Sequence, residues 1–215
     1  ETEALQALFE QAGYQIVPFL EPAEVSIINT CTVTSLSDHK SRKMIRRARR
    51  KNPRGIIVVT GCYAQGFPEQ IKEISQVDLV IGTHGREKLP QLVEKLAASG
   101  PLDLVEPYPE ETSFEILPLF RQRGRTRGFL KVQEGCTMGC SYCLIPRVRG
   151  PLRSLPLPEA VARAHQMACS GYREIVLTGI HLGLYGNDLG DGETNLARLL
   201  AELDQIPKLR RVRLS

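Results

Sequence analysis

The chain has 215 residues, enough for one large domain or two modest ones, and its 42% hydrophobic content can supply real cores. Its net charge of +4 is mild, so total charge alone does not argue for a nucleic-acid partner. Apolar runs such as residues 55–60 have the length of a strand, and no secretory leader opens the sequence, so we expect a cytoplasmic protein without a membrane partner.

The first hundred residues alternate helix and strand patterns. The β-branched runs at residues 25–29 and 55–60 are typical of strands buried on both faces of a parallel sheet, and residues 77–81 continue the series. Amphipathic patterns around them predict helices at residues 2–12, 36–51 and 86–98. The alternation predicts an α/β domain with a parallel sheet over residues 1–100.

Residues 101–127 break this alternation and are predicted to form an interdomain linker that pairs as an edge ribbon. The prediction depends on prolines and on arginines at alternate positions: Pro101, Pro107, Pro109, Pro118, Arg121, Arg123, Arg125 and Arg127.

A second β/α series fills residues 128–215. The expected elements are strands at residues 129–133, 174–178 and 211–214 and helices at residues 158–168 and 195–204. A β/α barrel needs more units than these. We therefore expect the first half of a partial, TIM-like barrel, in a segment of a longer protein.

Three cysteines, Cys136, Cys140 and Cys143, follow the first strand of this second series. The carboxyl ends of the strands are where β/α folds bind ligands. Structural zinc and ordinary iron–sulfur clusters take four protein ligands, so three thiolates leave one metal position open for an exogenous ligand. From the spacing alone, a zinc site completed by a remote histidine or cysteine stays open as the alternative.

The order of these cysteines, with Tyr142 directly before the last one, closely resembles the fingerprint of the radical S-adenosylmethionine superfamily. The resemblance implies a [4Fe-4S] cluster on the three thiolates, whose open iron binds the amino and carboxylate groups of S-adenosyl-L-methionine. It also implies that Tyr142 lies near the adenine of this cofactor. Thr178, Gly179 and Ile180 match the superfamily's turn that approaches the methionine end.

Two further cysteines, Cys31 and Cys62, directly follow two predicted strands, so they lie at the same edge of the expected sheet. Chance placement of two buried cysteines is the alternative. The surrounding words, residues 28–34 and 60–65, resemble the amino-terminal domain of the methylthiotransferases. That resemblance implies a second [4Fe-4S] cluster held by three cysteines, of which the third is expected upstream of Glu1.

Within that family, residues 29–34 and 177–181 look like the branch that acts on N6-threonylcarbamoyladenosine in tRNA. The resemblance implies an enzyme that adds a methylthio group at C2 of this adenosine, next to the anticodon. A 5′-deoxyadenosyl radical would remove the C2 hydrogen, and sulfur would be delivered at the second cluster. The implied partners are tRNA, an electron donor and a sulfur source, while the oligomeric state is not predicted.

Three other functions stay open at this point. Two are methylthiotransferases of the branches that act on isopentenyladenosine in tRNA or on a ribosomal-protein aspartate. The third, of another class, is an RNA-binding module with a zinc-stabilised loop.

Two basic stretches are candidates for contacts with an anionic partner. Residues 40–54 hold nine basic residues and no acid, and Arg46, Arg47, Arg49 and Arg50 are expected to contact RNA phosphates. A solvated helix face is the alternative. Residues 121–153 hold eight lysines or arginines against a single acid, Glu134, and are expected to draw an anionic substrate towards the open iron. For Arg147 and Arg149 the alternative is that they only complete a loop.

Overall fold

The computed structural model describes residues 1–19, 21–32, 34–74, 77–99, 102–106, 112–119 and 125–215. The chain divides into two compact units. The first comprises Glu1–Pro109 and Glu115–Pro118, and the second comprises Glu110–Phe114 and Leu119–Ser215. No helix among the described residues is long and apolar enough to cross a membrane.

The first unit is built on a four-stranded parallel sheet with the strand order β1-β2-β3-β4. Helices pack on both faces of the sheet and enclose two hydrophobic cores. Its elements, in chain order, are α1 (Thr2–Gln11), β1 (Val25–Thr30), α2 (Ser35–Lys51), β2 (Ile56–Gly61), α3 (Cys62–Gly66), α4 (Pro68–Lys72), β3 (Leu79–Ile81), a 3₁₀ turn (Arg86–Lys88), α5 (Leu89–Ser99) and β4 (Leu102–Leu104).

The composition of β2 explains its central position in this sheet. Ile57, Val58 and Val59 are fully buried, as expected for a β-branched strand covered on both faces. The helix α2 begins after Thr34, whose hydroxyl accepts a hydrogen bond from the amide of Ser37 at 3.2 Å. The predicted α/β class with parallel sheets is confirmed.

Two predicted boundaries in this unit are wrong. The expected helix at residues 86–98 starts as a 3₁₀ turn, and α5 proper begins at Leu89. The segment predicted as a linker opens with β4, which pairs in parallel with β3. A strand of three residues carries too little pattern to be recognised in the sequence. The linker residues Pro101, Pro107, Pro109, Arg121 and Arg123 lie outside the described residues.

The second unit contains a three-stranded parallel sheet with the order β5-β8-β9 and a short antiparallel hairpin, β6-β7. Helices α7 and α8 pack against the sheet around a core that includes Leu130, Ile175 and Leu199. Its elements are β5 (Arg127–Lys131), β6 (Gln133–Glu134), α6 (Ile145–Arg149), β7 (Arg153–Ser154), α7 (Leu157–Cys169), β8 (Glu174–Thr178), a 3₁₀ turn (Leu182–Leu184), α8 (Leu196–Asp204) and β9 (Arg211–Leu214).

The strand expected at residues 129–133 is in fact divided between β5 and β6. Arg127, expected in the linker, begins β5, which lies at the edge of the sheet and pairs in parallel with β8. The second half of the predicted strand leaves the sheet to form a hairpin with β7. This hairpin positions the three cysteines.

Candidate cysteine-loop site

The three cysteines of the second unit lie in a loop, residues 135–152, that leaves β6 and returns at β7; we call it the cysteine loop. Its two ends pair as an antiparallel hairpin, Gln133 with Ser154 and Glu134 with Arg153. We call these paired ends the neck of the loop. Next to the neck, the amide of Cys136 donates to the carbonyl of Gly150 at 3.2 Å. The loop therefore leaves the sheet edge with both ends fixed.

All three thiols of the cysteine loop are free. Cys136 and Cys143 are half-buried and Cys140 is exposed. The amide of Cys143 donates to the carbonyl of Cys140 at 2.9 Å, so the last two cysteines share one turn. Tyr142, between them, is 91% exposed.

The thiols fit an iron–sulfur cluster by their number and their place in a closed loop. Across the described ranges, no three histidine, cysteine, aspartate or glutamate side chains lie close enough to hold a single metal ion. In a [4Fe-4S] cluster each cysteine binds a different iron, so the thiols do not have to meet around one ion. Three thiolates also leave one iron for an exogenous ligand.

A buried carboxylate lies at the neck of the loop. Glu134 is 1% exposed, and it forms ion pairs with Arg149 at 2.6 Å and Lys131 at 2.8 Å. The guanidinium of Arg153 lies 3.7 Å from the same carboxylate and donates to the carbonyl of Arg149 at 2.8 Å. Three of the basic residues that were expected to attract an anionic substrate therefore pair with Glu134, and for Arg149 this agrees with the alternative that it completes the loop.

The turn after β8 lies beside the start of the cysteine loop. Lys131 of β5 pairs with Thr178, and the amide of Val132 donates to the carbonyl of Thr178 at 3.0 Å. Thr178 and Gly179 are half-buried and Ile180 is 41% exposed. The carboxyl ends of β5 and β8 therefore lie side by side. Ligands of β/α folds bind at this end of the strands.

Gln133 joins these two segments, and nothing in the sequence pattern indicated it. Its side-chain amide donates to the carbonyls of Glu134 at 3.0 Å and Gly135 at 2.7 Å. Its Oε1 accepts from the amide of His181 at 2.7 Å. A contact across 48 residues has no signature in local sequence.

A second set of hydrogen bonds fixes the loop that follows the β8 turn. Asp188 accepts from the amide of Ser154 at 2.7 Å and from its hydroxyl at 2.5 Å, while that hydroxyl accepts from the amide of Gly186 at 2.9 Å. Tyr185 donates to the carbonyl of Leu155 at 2.7 Å. Burial, with a smaller contribution from Asp188, raises the pKa of Tyr185 to about 12, so this hydroxyl keeps its proton and remains a donor.

The two cysteines of the first unit lie at one edge of its sheet. Thr30, the last residue of β1, pairs with Gly61, the last residue of β2, and the next residues are Cys31 and Cys62. Cys31 is exposed, and Cys62 is 4% exposed at the start of α3.

Unpaired polar atoms flank Cys31. Asn29 Oδ1 and Thr32 Oγ1 are buried without a hydrogen-bond partner in the described part of the chain. A buried polar atom without a partner costs free energy unless a ligand or water pairs with it. Both residues lie within two positions of Cys31; Asn29 Oδ1 can pair only with a donor, whereas Thr32 Oγ1 can donate or accept.

The four arginines predicted to contact RNA divide into two groups on α2. Arg46, Arg47 and Arg50 are exposed, whereas Ile45 and Ala48 face the core. The side chain of Arg49 is only 19% exposed and pairs with Asp78 at 2.5 Å. It also donates to the carbonyls of residues 53 and 55, at 3.2 and 2.7 Å. Arg49 therefore has a structural role that the other three arginines do not share.

The chain resembles proteins of known class along its whole length. Residues 1–82 match the family model described as "Uncharacterized protein family UPF0004". Threonylcarbamoyladenosine tRNA methylthiotransferase MtaB of Bacillus subtilis (strain 168) is 46% identical to this chain, and the alignment covers 100% of this chain and 48% of that protein. MtaB of Aquifex aeolicus (strain VF5) is 41% identical over 100% of this chain and 52% of that protein. Over its whole length the chain is therefore similar to methylthiotransferases.

Other methylthiotransferases match at lower identity. Ribosomal protein uS12 methylthiotransferase RimO of Prochlorococcus marinus (strain MIT 9215) is 32% identical over 96% of this chain and 45% of that protein. This chain thus spans about half the length of the curated methylthiotransferases it matches.

A solved structure shares the fold. The radical S-adenosylmethionine methyltransferase TsrM from Kitasatospora setae, with cobalamin and a [4Fe-4S] cluster bound, superimposes with a TM-score of 0.59. The superposition covers 93% of this chain and 48% of the TsrM chain, and the two sequences are 16% identical. At this identity the likeness describes the architecture alone.

Proposed function

We propose that this chain belongs to a tRNA methylthiotransferase that adds a methylthio group at C2 of N6-threonylcarbamoyladenosine, next to the anticodon. The observation that carries the proposal is the cysteine loop, which presents three free thiols beside the turn that ends β8. The choice of substrate is supported by the 46% and 41% identity to two MtaB proteins. Because tRNA is the proposed substrate, the proposed compartment is the cytoplasm.

The residues of the second unit have separate proposed tasks. Cys136, Cys140 and Cys143 would hold a [4Fe-4S] cluster. When bound, this cluster and S-adenosyl-L-methionine supply the radical chemistry at C2. Gly179 would face the cofactor with its backbone. Thr178, Ile180 and the exposed Tyr142 would bind its remaining parts.

In the first unit, Cys31 and Cys62 would hold a second [4Fe-4S] cluster together with one ligand outside this chain. The proposal also requires two partners, an electron donor and a source of sulfur, because neither electrons nor sulfur are supplied by the side chains described above.

The metal content of the full-length protein tests this proposal. After anaerobic purification, we expect about eight irons and eight acid-labile sulfides per chain, because each [4Fe-4S] cluster contributes about four. Alanine at Cys136, Cys140 and Cys143 should remove about half of the iron. Alanine at Cys31 and Cys62 should remove the other half.

The matched control is Cys169→Ala, because Cys169 is also an exposed, free thiol but lies in α7, away from the cysteine loop. It should leave the iron content unchanged. About one zinc and little iron would contradict the proposal and support the zinc-stabilised RNA-binding module. Mass analysis of tRNA and of ribosomal protein from a strain lacking the protein then distinguishes the three methylthiotransferase branches by the substrate that loses its methylthio group.

We further propose that Arg46, Arg47 and Arg50 contact tRNA phosphates. Each phosphate contact lowers the slope of log K against log salt concentration by about 0.7–0.9. Changing all three to glutamine should therefore flatten the slope for tRNA binding by about two to three. The measurement is a salt titration of tRNA affinity.

Arg49→Gln is the control for this experiment because Arg49 lies on the same helix but pairs with Asp78. It should destabilise the first unit and leave the salt slope as it is. An unchanged slope in the triple variant would show that the three arginines are only a solvated helix face.

A further inference from the structure

The side chain of Gln133 is almost completely buried between the cysteine loop and the turn after β8. It is 1% exposed and uses both ends of its amide. Nε2 donates to the carbonyls of Glu134 and Gly135, at the start of the cysteine loop. Oε1 accepts from the amide of His181, at the end of the turn. One side chain thus holds two segments that are far apart in sequence.

The orientation of this amide is determined by its neighbours. Exchanging its oxygen and nitrogen would direct a donor at the amide of His181 and an acceptor at two carbonyl oxygens. None of the three hydrogen bonds would then form. Glutamine is therefore the side chain of this length that satisfies both segments, since a glutamate offers no donor to the two carbonyls.

The space around the side chain of Gln133 is also restricted, by Gly179 and Leu182. A Cβ at Gly179 would lie 2.8 Å from Gln133 Oε1 and 2.8 Å from Cδ2 of Leu182. The turn can therefore approach the glutamine only because residue 179 is glycine. A side chain held by three hydrogen bonds in so tight a space cannot change rotamer without releasing one of the two segments.

We propose that Gln133 is a positioning residue that sets the Gly179–His181 turn against the start of the cysteine loop, so that S-adenosyl-L-methionine held at the loop meets the turn. The inference rests on the proposed function, because it assumes that this cofactor binds there. Gln133 does not itself touch the reacting atoms. It acts by fixing the two backbone segments that would form the walls of the site.

Hydrogen exchange at the amide of His181 and the affinity for S-adenosyl-L-methionine test this proposal in the full-length protein. In cluster-free protein, Gln133→Leu should make the His181 amide exchange at least about tenfold faster, because its acceptor is lost. Gln133→Glu keeps that acceptor and should leave the His181 amide protected. In cluster-loaded protein, both variants should bind S-adenosyl-L-methionine about 5–20-fold more weakly, because Gln133→Glu releases the start of the cysteine loop and Gln133→Leu releases both segments.

Two controls separate positioning from a general loss of stability. Gln166→Leu makes the same substitution at an exposed position of α7 and should change neither measurement. Leu203→Ala creates a cavity in the core of the second unit, where Leu203 is fully buried. It should lower the unfolding temperature at least as much as Gln133→Leu and leave the affinity within about twofold.

The outcomes distinguish this inference from the proposed function. If the loaded wild-type protein does not bind S-adenosyl-L-methionine, both the proposed function and the positioning role fail, whatever the exchange shows. If it binds and Gln133→Leu binds equally well, the positioning role is overturned and the proposed function stands. Unchanged exchange at His181 in Gln133→Leu would also overturn it, as would an equal loss of affinity in Leu203→Ala.

Discussion

Replacing Glu134 with glutamine is expected to lower the free energy of unfolding of the second unit by about 3 kcal/mol. The carboxylate is 1% exposed and is the shared partner of Lys131, Arg149 and Arg153. Glutamine keeps the shape but removes the charge, so three basic groups remain close together at the neck of the loop. Breaking a buried ion pair costs about 3–5 kcal/mol, and the lower end applies because Lys131 can turn towards water.

The measurement is denaturant-dependent hydrogen exchange of the α7 amides, which reports the second unit separately from the first. Glu193→Gln is the matched control, because Glu193 makes a comparable ion pair with Arg198 but both side chains are exposed. That variant should lose less than about 1 kcal/mol. Equal losses in the two variants would contradict the structural role assigned to Glu134.

A double variant keeps the prediction testable if Glu134→Gln folds poorly. Arg149→Met should destabilise the wild type strongly, since it leaves the carboxylate short of a partner. In the Glu134→Gln background the same change should cost less, because it removes an unpaired charge. The difference between the two costs measures the interaction of Glu134 with Arg149 directly.

The strands and the cysteine positions could be predicted from the sequence because both have local signatures. The β-branched run of β2 identifies a strand buried on both faces, and its end then fixes the edge at which Cys62 lies. The same argument places Cys136 after the first strand predicted for the second unit, which the structure divides into β5 and β6. Periodicity and spacing suffice wherever the signal lies within about ten residues.

The neck of the cysteine loop could not be predicted because its contacts are remote in sequence. The hairpin strands β6 and β7 have two residues each, too few for any alternation to be visible. Glu134 appears in the sequence as one acid among basic residues, and only pairing across fifteen residues with Arg149 shows that it is buried. Gln133 carries no charge and no periodic signal.

Helix α2 gives a second example of a contact that the sequence alone does not reveal. Arg46, Arg47, Arg49 and Arg50 are equivalent in composition, and helical spacing alone does not say which of them has a partner. Arg49 differs because Asp78 lies 29 residues away in sequence, beside the start of β3. A partner at that distance becomes visible only once the strands are paired.

Replacing Gly61 with alanine is expected to destabilise the first unit by about 3 kcal/mol or more and to remove the cluster proposed on Cys31 and Cys62. Gly61 has φ +98° and ψ −168°, a region that essentially only glycine occupies. An added Cβ would lie 2.8 Å from the amide nitrogen of Thr30, with the carbonyl oxygen of Thr30 closer still. Alanine must therefore push β1 away from β2 at the pair of residues that precedes the two cysteines.

Gly85→Ala is the control that separates backbone strain from this displacement. Gly85 also has a positive φ, +71°, but an added Cβ would meet no atom within 4 Å. Gly85→Ala should lower the free energy of unfolding by only about 1–2 kcal/mol, which is the strain of the left-handed conformation. Iron is measured in protein that lacks Cys136, Cys140 and Cys143, where the remaining iron reports the first unit alone. Gly85→Ala should keep about four irons in this protein, and Gly61→Ala should lose them. Retention of iron in Gly61→Ala would mean that the contact of β1 with β2 at Thr30 does not control the spacing of Cys31 and Cys62.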